Sequence, residues 1–253
     1  MKSRTSAICI ASGFGILTNI NAGLAADIAI KAPMAAPAAV YSWTGWYAGV
    51  NVGGGWGESK NTFTADFPPP TPAGSDTTQV SGVIGGGQLG YNWQSGTWVL
   101  GVETDIQGAG QRGSNTTACS LAGCIIAGST IADTEKLTWF GTTRARVGVT
   151  SGSWLAYVTG GAAYGGVNSS GVTSLPGVGT ITVSKSSTQT GWTVGGGVEA
   201  SLTGNWTWKI EYLYMDLGTL SASAPDPFIV GATVGGSDHF TDNILRAGLN
   251  MRF

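Results

Sequence analysis

Charged residues are scarce in this chain, and they follow a regular spacing. Only 10% of the 253 residues are Asp, Glu, Lys or Arg. Where apolar and polar residues alternate, the polar phase holds Glu103, Asp105, Arg144, Arg146, Glu199, Lys209, Glu211, Arg246 and Arg252. Successive side chains of a β-strand point to opposite faces, so these charges share one face. The pattern predicts acids and bases that neutralise one another in a narrow interior, with Glu103 opposite Arg144 on the neighbouring strand.

Three other motifs suggest chemistry, and each has a plainer interpretation. Residues 108–113 match G-x-G-x-x-G, but no helical pattern or βαβ unit follows, which favours a flexible loop. Cys119 and Cys124 could bind zinc, yet the only histidine, His239, is distant in sequence, so a loop disulfide is the stronger interpretation. Ser237 and His239 could belong to a lipid-modifying hydrolase, although a lone His near a Ser is usually a polar loop. We therefore predict no catalytic residue, no metal site and no cofactor.

Eight segments carry the alternation, and together they predict a transmembrane β-barrel. They span residues 46–56, 83–93, 98–107, 137–149, 154–164, 192–202, 206–214 and 242–253. Each is close to the roughly 9–11 residues that a tilted strand needs to cross a bilayer. The connections alternate between long and short, as in outer-membrane barrels. The predicted fold is an all-β, eight-stranded antiparallel up-and-down barrel with four long outer loops and three short periplasmic turns.

Aromatic residues mark both ends of the predicted lipid-facing surface. With the chain entering from the short-turn side, the group near that side is Trp46, Trp93, Trp98, Trp154 and Trp208. The group near the other side is Trp56, Trp139, Tyr164, Trp192 and Tyr214. Amphipathic rings take such places at lipid headgroups, so we predict two girdles. A soluble barrel is the alternative, but it has no reason to place bulky rings outward at both rims.

The N-terminus has the features of a targeting segment. Lys2 and Arg4 precede an apolar run, and small residues follow up to Ala26. Residues 1–26 therefore predict a secretory signal peptide cut after Ala26, since the run is too short for a membrane anchor. Residues 27–42, rich in Ala and Pro, predict a periplasmic linker, and residues 43–253 the barrel domain. The formal net charge of −2 becomes more negative after cleavage, which argues against a nucleic-acid partner.

Four of these stretches resemble a known family. They are W-T-G-W-Y-A-G-V-N-V-G-G-G-W-G (43–57), G-W-T-V-G-G-G-V-E-A (191–200), K-I-E-Y-L-Y-M-D-L-G (209–218) and the terminal strand. They resemble the small outer-membrane barrels of alpha-proteobacteria, often labelled outer membrane immunogenic protein or porin-family protein. The resemblance covers about residues 41–253 and implies a barrel similar to the membrane domain of OmpA. It also implies that the terminal Phe253 is read by the barrel-assembly machinery during insertion.

The leading expectation is a structural and surface-interaction protein of the bacterial outer membrane, with lipid and lipopolysaccharide as partners. A small solute channel is the first alternative, but an eight-stranded barrel encloses a space that side chains just fill. Tyr47, Phe140 and Tyr157 should add bulk to that space. Haem binding by surface loops is implied by the resemblance and weakened by the single histidine. Acids outnumber bases in the predicted outer loops, so an acidic outer surface is expected; the oligomeric state stays open.

Overall fold

Strands account for nearly all of the chain that the structure describes. The computed structural model describes residues 41–66, 71–118, 128–177, 179–225 and 233–253. The strands are β1 Gly45–Asp66, β2 Thr71–Ser95, β3 Trp98–Ala118, β4 Thr130–Ser151, β5 Trp154–Leu175, β6 Gly179–Ser201, β7 Trp206–Pro225 and β8 Thr233–Arg252. Within these ranges, no helix has the length and apolarity of a membrane-crossing segment. The predicted signal peptide, most of the predicted linker and the Cys119–Cys124 pair lie outside the described residues, so those predictions stay predictions.

The eight strands close into one antiparallel barrel in chain order. β1 pairs with β8 from Tyr47 opposite Arg252 to Asp66 opposite Thr233, which leaves no free strand edge. A closed ring satisfies the backbone hydrogen-bonding groups between strands, as a lipid environment requires. The predicted eight-stranded up-and-down barrel is confirmed.

Three tight turns connect strands at one end of the barrel. They join β2 to β3, β4 to β5 and β6 to β7. Gly96, Gly152 and Gly204 stand in these turns with φ of 61°, 62° and 65°, a backbone region in which a Cβ is strained. The turns lie where the sequence predicts the short periplasmic connections. The opposite ends of the strands, such as Asp66 of β1 and Ala118 of β3, form the outer end of the barrel.

The strands run much farther toward the outer end than predicted. β1 continues to Asp66 instead of stopping near residue 56, and β2 begins at Thr71 instead of residue 83. The strands were predicted from the alternation of apolar and polar residues, and this alternation ends where the barrel leaves the lipid. The hydrogen-bonded ladder continues beyond that point, through segments rich in Ser, Thr and Asn. Most of the residues predicted as long outer loops therefore belong to strands.

Backbone irregularities mark the transition between the two parts of the strands. Register shifts fall between Gly108 and Gln111, between Leu137 and Trp139, and between Asp216 and Thr219. All three lie just beyond the last outward-facing apolar residues of their strands. Such bulges increase local twist and re-aim side chains. They separate the lipid-facing part of the barrel from its polar outer extension.

Candidate functional site

A layer of eight charged side chains crosses the barrel interior. Each exposes at most 4% of its surface. β3 supplies Glu103 and Asp105, β4 Arg144 and Arg146, β6 Glu199, β7 Lys209 and Glu211, and β8 Arg246. Because the two charges of β3, β4 and β7 are two residues apart, each strand turns both of them to the inner face. Eight of the nine residues predicted for the lumen therefore lie together.

Arg144 is at the centre of this charged layer. Its Nη2 donates hydrogen bonds to Glu103 Oε1 at 2.5 Å and to Asp105 Oδ2 at 3.0 Å. Its Nη1 donates to Glu211 Oε1 at 3.0 Å, and its Nε donates to Thr142 Oγ1 at 2.9 Å. Glu103 and Arg144 are also direct partners in the ladder, as the sequence predicts. One guanidinium thus joins β3 and β4 to β7 across the lumen.

Arg246 and Lys209 complete the centre of the charged layer. Arg246 Nη2 is 2.9 Å from Asp105 Oδ2 and 2.6 Å from Glu211 Oε2. Lys209 Nζ donates to both carboxylate oxygens of Glu103 at 2.9 Å. Each central carboxylate therefore contacts at least two cations. Charge-assisted hydrogen bonds of this kind are short and strong, and they offset the cost of taking the charges out of water.

Arg146 extends the charged layer toward the periplasmic end. Its Nη2 donates to Glu199 Oε2 at 3.0 Å. Its guanidinium lies 5.0 Å from the ring centroid of Tyr47 and 4.8 Å from that of Tyr157. The two tyrosine hydroxyls donate to carboxylates of the layer at 2.8 and 3.0 Å. Both rings fill the lumen as expected, and they shield this guanidinium from solvent.

Arg252 is not part of the charged layer, and its assignment to the lumen network is corrected. Its Nη2 donates to the backbone carbonyls of Ser42 and Thr44, and its guanidinium lies over the rings of Tyr41 and Trp43. As the last residue of β8, it is at the periplasmic mouth, beyond the height of the carboxylates. Without it, the layer holds four acids and four bases, so its formal charges cancel.

An apolar cluster fills the interior on the outer side of the charged layer. Its members are Val80, Ile84, Leu137, Phe140, Ala163, Val167, Leu213, Met215, Leu217, Phe240 and Ile244. On β7, Leu213 and Met215 follow Glu211 toward the outer end. Apart from Phe140, these inward apolar residues were not anticipated. The signal was present, since Leu213 and Met215 occupy the same strand phase as Lys209 and Glu211.

Trp43 fills the interior on the other side of the charged layer. The side chain is fully buried and packs in a second cluster with Val99, Leu155 and Tyr157. Its backbone N donates to Gln94 Oε1 at 2.7 Å, and its Nε1 donates to Thr150 Oγ1 at 2.9 Å. The ring therefore closes the periplasmic mouth. The sequence offered a weak signal for this position, because Trp43 shares the inward phase of Tyr47.

The outer extension of the barrel turns several acids inward, away from the membrane-spanning part. Glu135 is 3% exposed and accepts a hydrogen bond from Ser169 Oγ at 2.8 Å. Burial raises the pKa of Glu135 to about 7, against the lowering effect of that hydrogen bond, and the charges of Asp238 and Asp133 raise it further. Burial likewise raises the pKa of Asp133 and of Asp238.

Three bases of the outer extension face outward instead: Lys60, Arg112 and Lys136 are exposed on the outside. Lys185 is exposed too, but it is the ladder partner of Ser169 and therefore shares the inner face with Glu135. Glu58 is likewise exposed on the outside of β1, so the expected acidic outer surface stays a prediction. The expectation counted charges along the sequence, whereas strand alternation sorts acids such as Glu135 and bases such as Lys136 to opposite faces.

The predicted girdle residues lie on the outside of the barrel. Trp46, Trp56, Trp93, Trp98, Trp154 and Trp192 are 48–58% exposed. The four remaining girdle residues, Trp139, Tyr164, Trp208 and Tyr214, are half-buried. Each of them packs against another girdle residue, with ring centroids 6.3 Å apart for Trp139–Tyr164, 5.7 Å for Trp154–Trp208 and 5.5 Å for Trp192–Tyr214. Two further aromatic residues join them: Trp206 is 48% exposed, and Tyr91 contacts both Trp46 and Trp93. The apolar belt thus has aromatic residues at both ends.

Two further sequence motifs lie within the described residues, at residues 108–113 and at His239. Residues 108–113 continue β3 across a bulge instead of starting the predicted flexible loop. His239 Nδ1 is 3.0 Å from Thr219 Oγ1 and its Nε2 is 3.5 Å from Asp216 Oδ2, so its polar neighbours differ from the Ser237 considered in the sequence. In the part of the chain that the structure describes, no group of three or more His, Cys, Asp or Glu could hold a metal ion.

Comparison with known proteins agrees with this architecture. The family model described as "Outer membrane protein beta-barrel domain" matches residues 23–253. The chain is 37% identical over 240 residues to the 31 kDa outer-membrane immunogenic protein of Brucella melitensis, covering 91% of this chain and 93% of that protein. It is 33% identical over 180 residues to the 22 kDa outer membrane protein of Rhizobium leguminosarum, covering 69% of this chain and 64% of that protein.

Among solved structures, the chain matches the outer membrane protein OprG from Pseudomonas aeruginosa. The two are 12% identical with a TM-score of 0.44, and the match covers 83% of this chain and 97% of OprG. The family model spans all eight strands of the barrel. The chain belongs to the outer membrane protein beta-barrel domain family and is an integral β-barrel protein of the bacterial outer membrane.

Proposed function

We propose that this barrel is a closed structural and surface-interaction protein of the envelope, and not a solute channel or an enzyme. The supporting observation is the stacking inside the barrel: an apolar cluster, a formally neutral charged layer, and Trp43 at the periplasmic mouth. A hydrated solute would have to displace all three. Eight strands leave an interior that side chains just fill, so no wider path is available beside them.

Conductance in a planar bilayer tests this proposal against the channel alternative. The folded wild-type protein should give no steady open channels. Trp43→Ala is the sharper comparison, because it opens the periplasmic mouth and leaves the charged layer and the apolar cluster in place. We expect this variant to be silent as well. Steady conductance of the wild type would overturn the proposal, and conductance of the variant alone would identify Trp43 as the single seal.

Phe253 is proposed as an assembly signal for the barrel-assembly machinery. Its backbone N donates to Trp46 O at 3.1 Å, while its side chain is 69% exposed. Removing the side chain should therefore cost little stability. We expect Phe253→Ser to refold in detergent like the wild type but to accumulate poorly in the outer membrane of cells. Equal loss in both assays would assign the residue to barrel stability instead.

Outer-leaflet lipid and lipopolysaccharide are the proposed partners of the belt between the girdles. Secretion is proposed to remove residues 1–26. The mass of the protein purified from outer membranes tests the cleavage, since the mature chain should begin at Asp27. A mass that retains the first 26 residues would contradict it.

A further inference from the structure

Two cations face each other directly on the outer surface of the barrel. Arg112 on β3 and Lys136 on β4 are ladder partners, and both side chains are exposed. Like charges placed directly opposite one another on a sheet are destabilising. A neutralising neighbour within the protein, or an anion bound from outside it, would relieve this repulsion.

The surrounding residues do not neutralise the pair. Ser81 on β2 is the ladder partner of Arg112 on its other side, and Asn168 on β5 is that of Lys136. Glu135 precedes Lys136 but is buried on the opposite face of β4. Among the described residues, the ion pairs involve neither Arg112 nor Lys136. Two uncompensated positive charges thus lie between two neutral hydrogen-bonding side chains.

The position of the pair relative to the girdle indicates what it meets. Because of the bulge between Leu137 and Trp139, Lys136 is only two ladder steps beyond Trp139 toward the outer end, which is about 7 Å along the sheet. Trp139 and Tyr164 pack together at the rim of the apolar belt. On β3, Ile106 is 63% exposed on the outside below this rim, and Arg112 follows above it. Aromatic rims lie at the level of lipid headgroups, so the pair is at the height of headgroup phosphates.

We propose that Arg112 and Lys136 bind a phosphate group on the headgroup of an outer-leaflet lipid. The planar guanidinium suits a two-point contact with phosphate oxygens, and the ammonium adds a second charge. Ser81 and Asn168 can donate further hydrogen bonds from either side. This inference deepens the proposed partnership with outer-leaflet lipid and rests on it, because it names the residues and the chemical group involved.

Binding of bis-phosphorylated lipid A to the detergent-solubilised barrel, followed by native mass spectrometry, tests the site. Arg112→Gln and Lys136→Gln each remove one charge, and the double variant removes both. Lys60→Gln is the matched control, because it removes one exposed charge from β1 above Trp56, two residues after Glu58. Dephosphorylated lipid A and inorganic phosphate serve as probes of the headgroup chemistry. The heat-modifiable gel shift verifies for each variant that the barrel is folded, independently of lipid binding.

The expected result is a selective loss of phosphate-dependent binding. Each single variant should bind lipid A about fivefold more weakly and the double variant more than tenfold, on the scale of one surface cation near anionic lipid. The Lys60→Gln variant should stay within about twofold of the wild type, and dephosphorylated lipid A should not discriminate between variants. Wild-type affinity in the double variant, or an equal loss in Lys60→Gln, would overturn the site. Displacement of lipid A by millimolar inorganic phosphate would assign the pair to free anions instead of lipid.

Discussion

The charged layer and the apolar cluster above it fill the same barrel by opposite means. The layer relies on a few directed contacts, and most of these reach Arg144 or Arg246. The cluster relies on many undirected contacts among side chains such as Phe140 and Leu213. Removing one partner from the layer leaves a buried charge without compensation, whereas removing one side chain from the cluster leaves a cavity.

The charged layer and the apolar cluster therefore differ in how well they tolerate substitution. Apolar residues of similar volume can replace one another with modest loss, so the cluster fixes how full the interior is. A carboxylate bound by two cations accepts few alternative positions, so the layer fixes which strands lie opposite one another. Substitutions that remove charge, volume or single hydrogen bonds should therefore behave differently in the two regions.

The largest effect is expected for Arg144→Ala in the charged layer. The change leaves Glu103, Asp105 and Glu211 with fewer cations and should lower the free energy of unfolding by about 3–5 kcal/mol. Urea unfolding, followed by the heat-modifiable gel shift, measures the loss. The double variant Glu103→Gln with Arg144→Met should recover much of it, because charge is then removed in a balanced way. Additive losses in the full double-mutant cycle would show that the two residues are not coupled.

Leu213→Ala tests the apolar cluster and should cost about 2–4 kcal/mol, because a fully buried side chain leaves a cavity. Leu213→Met should cost less than about 1.5 kcal/mol, since the volume is nearly conserved. Leu249→Ala is the matched control on the lipid-facing side, where the leucine is 45% exposed. Equal losses at both leucines would mean that the cluster is not tightly packed.

Glu135→Gln tests the buried acid of the outer extension through its pH dependence. The pKa of Glu135 in the folded barrel is raised to about 7, so folding favours its protonated form. Stability from this group is present at low pH and is lost as pH rises from about 4.5 to 7. The variant should match the wild type near pH 4 and exceed it near pH 8, by on the order of 1 kcal/mol. Urea midpoints across this range measure the difference, and a constant difference at every pH would contradict it.

Trp43→Phe should have the smallest effect of these four. Phenylalanine keeps an aromatic ring in the periplasmic mouth but loses the Nε1 hydrogen bond to Thr150. The expected loss in unfolding free energy is about 1 kcal/mol, the usual net value of one hydrogen bond. Thr150→Val removes the same bond together with the hydrogen bonds that Thr150 Oγ1 donates to the carbonyls of Gly152 and Trp154. Its loss should therefore be the larger one, and adding Trp43→Phe to it should lower stability little further.

The sequence predicted the parts of the barrel that lipid constrains most strongly. Lipid cannot solvate a charge, so Glu103 and Arg144 had to face inward, and their ladder pairing followed from the strand order. Lipid places no such constraint on inward apolar residues, so the apolar cluster was missed, although Leu213 shares the strand phase of Glu211. The outer extensions of the strands were missed for a related reason: in water, neither face of a strand such as β5 needs to be apolar.

The charged layer also selects the register of the strands as the barrel forms. Sliding β3, β4, β7 or β8 by a single residue turns its inward charges out into lipid and draws its outward apolar residues in. The carboxylates of β3 and β7 and the guanidiniums of β4 and β8 meet only when all four strands hold their final offsets. A barrel with one of these strands out of register therefore has buried charges without partners and stays high in free energy. Only the correct register of all four strands satisfies the charged layer, and the pairing of β1 with β8 then holds that register.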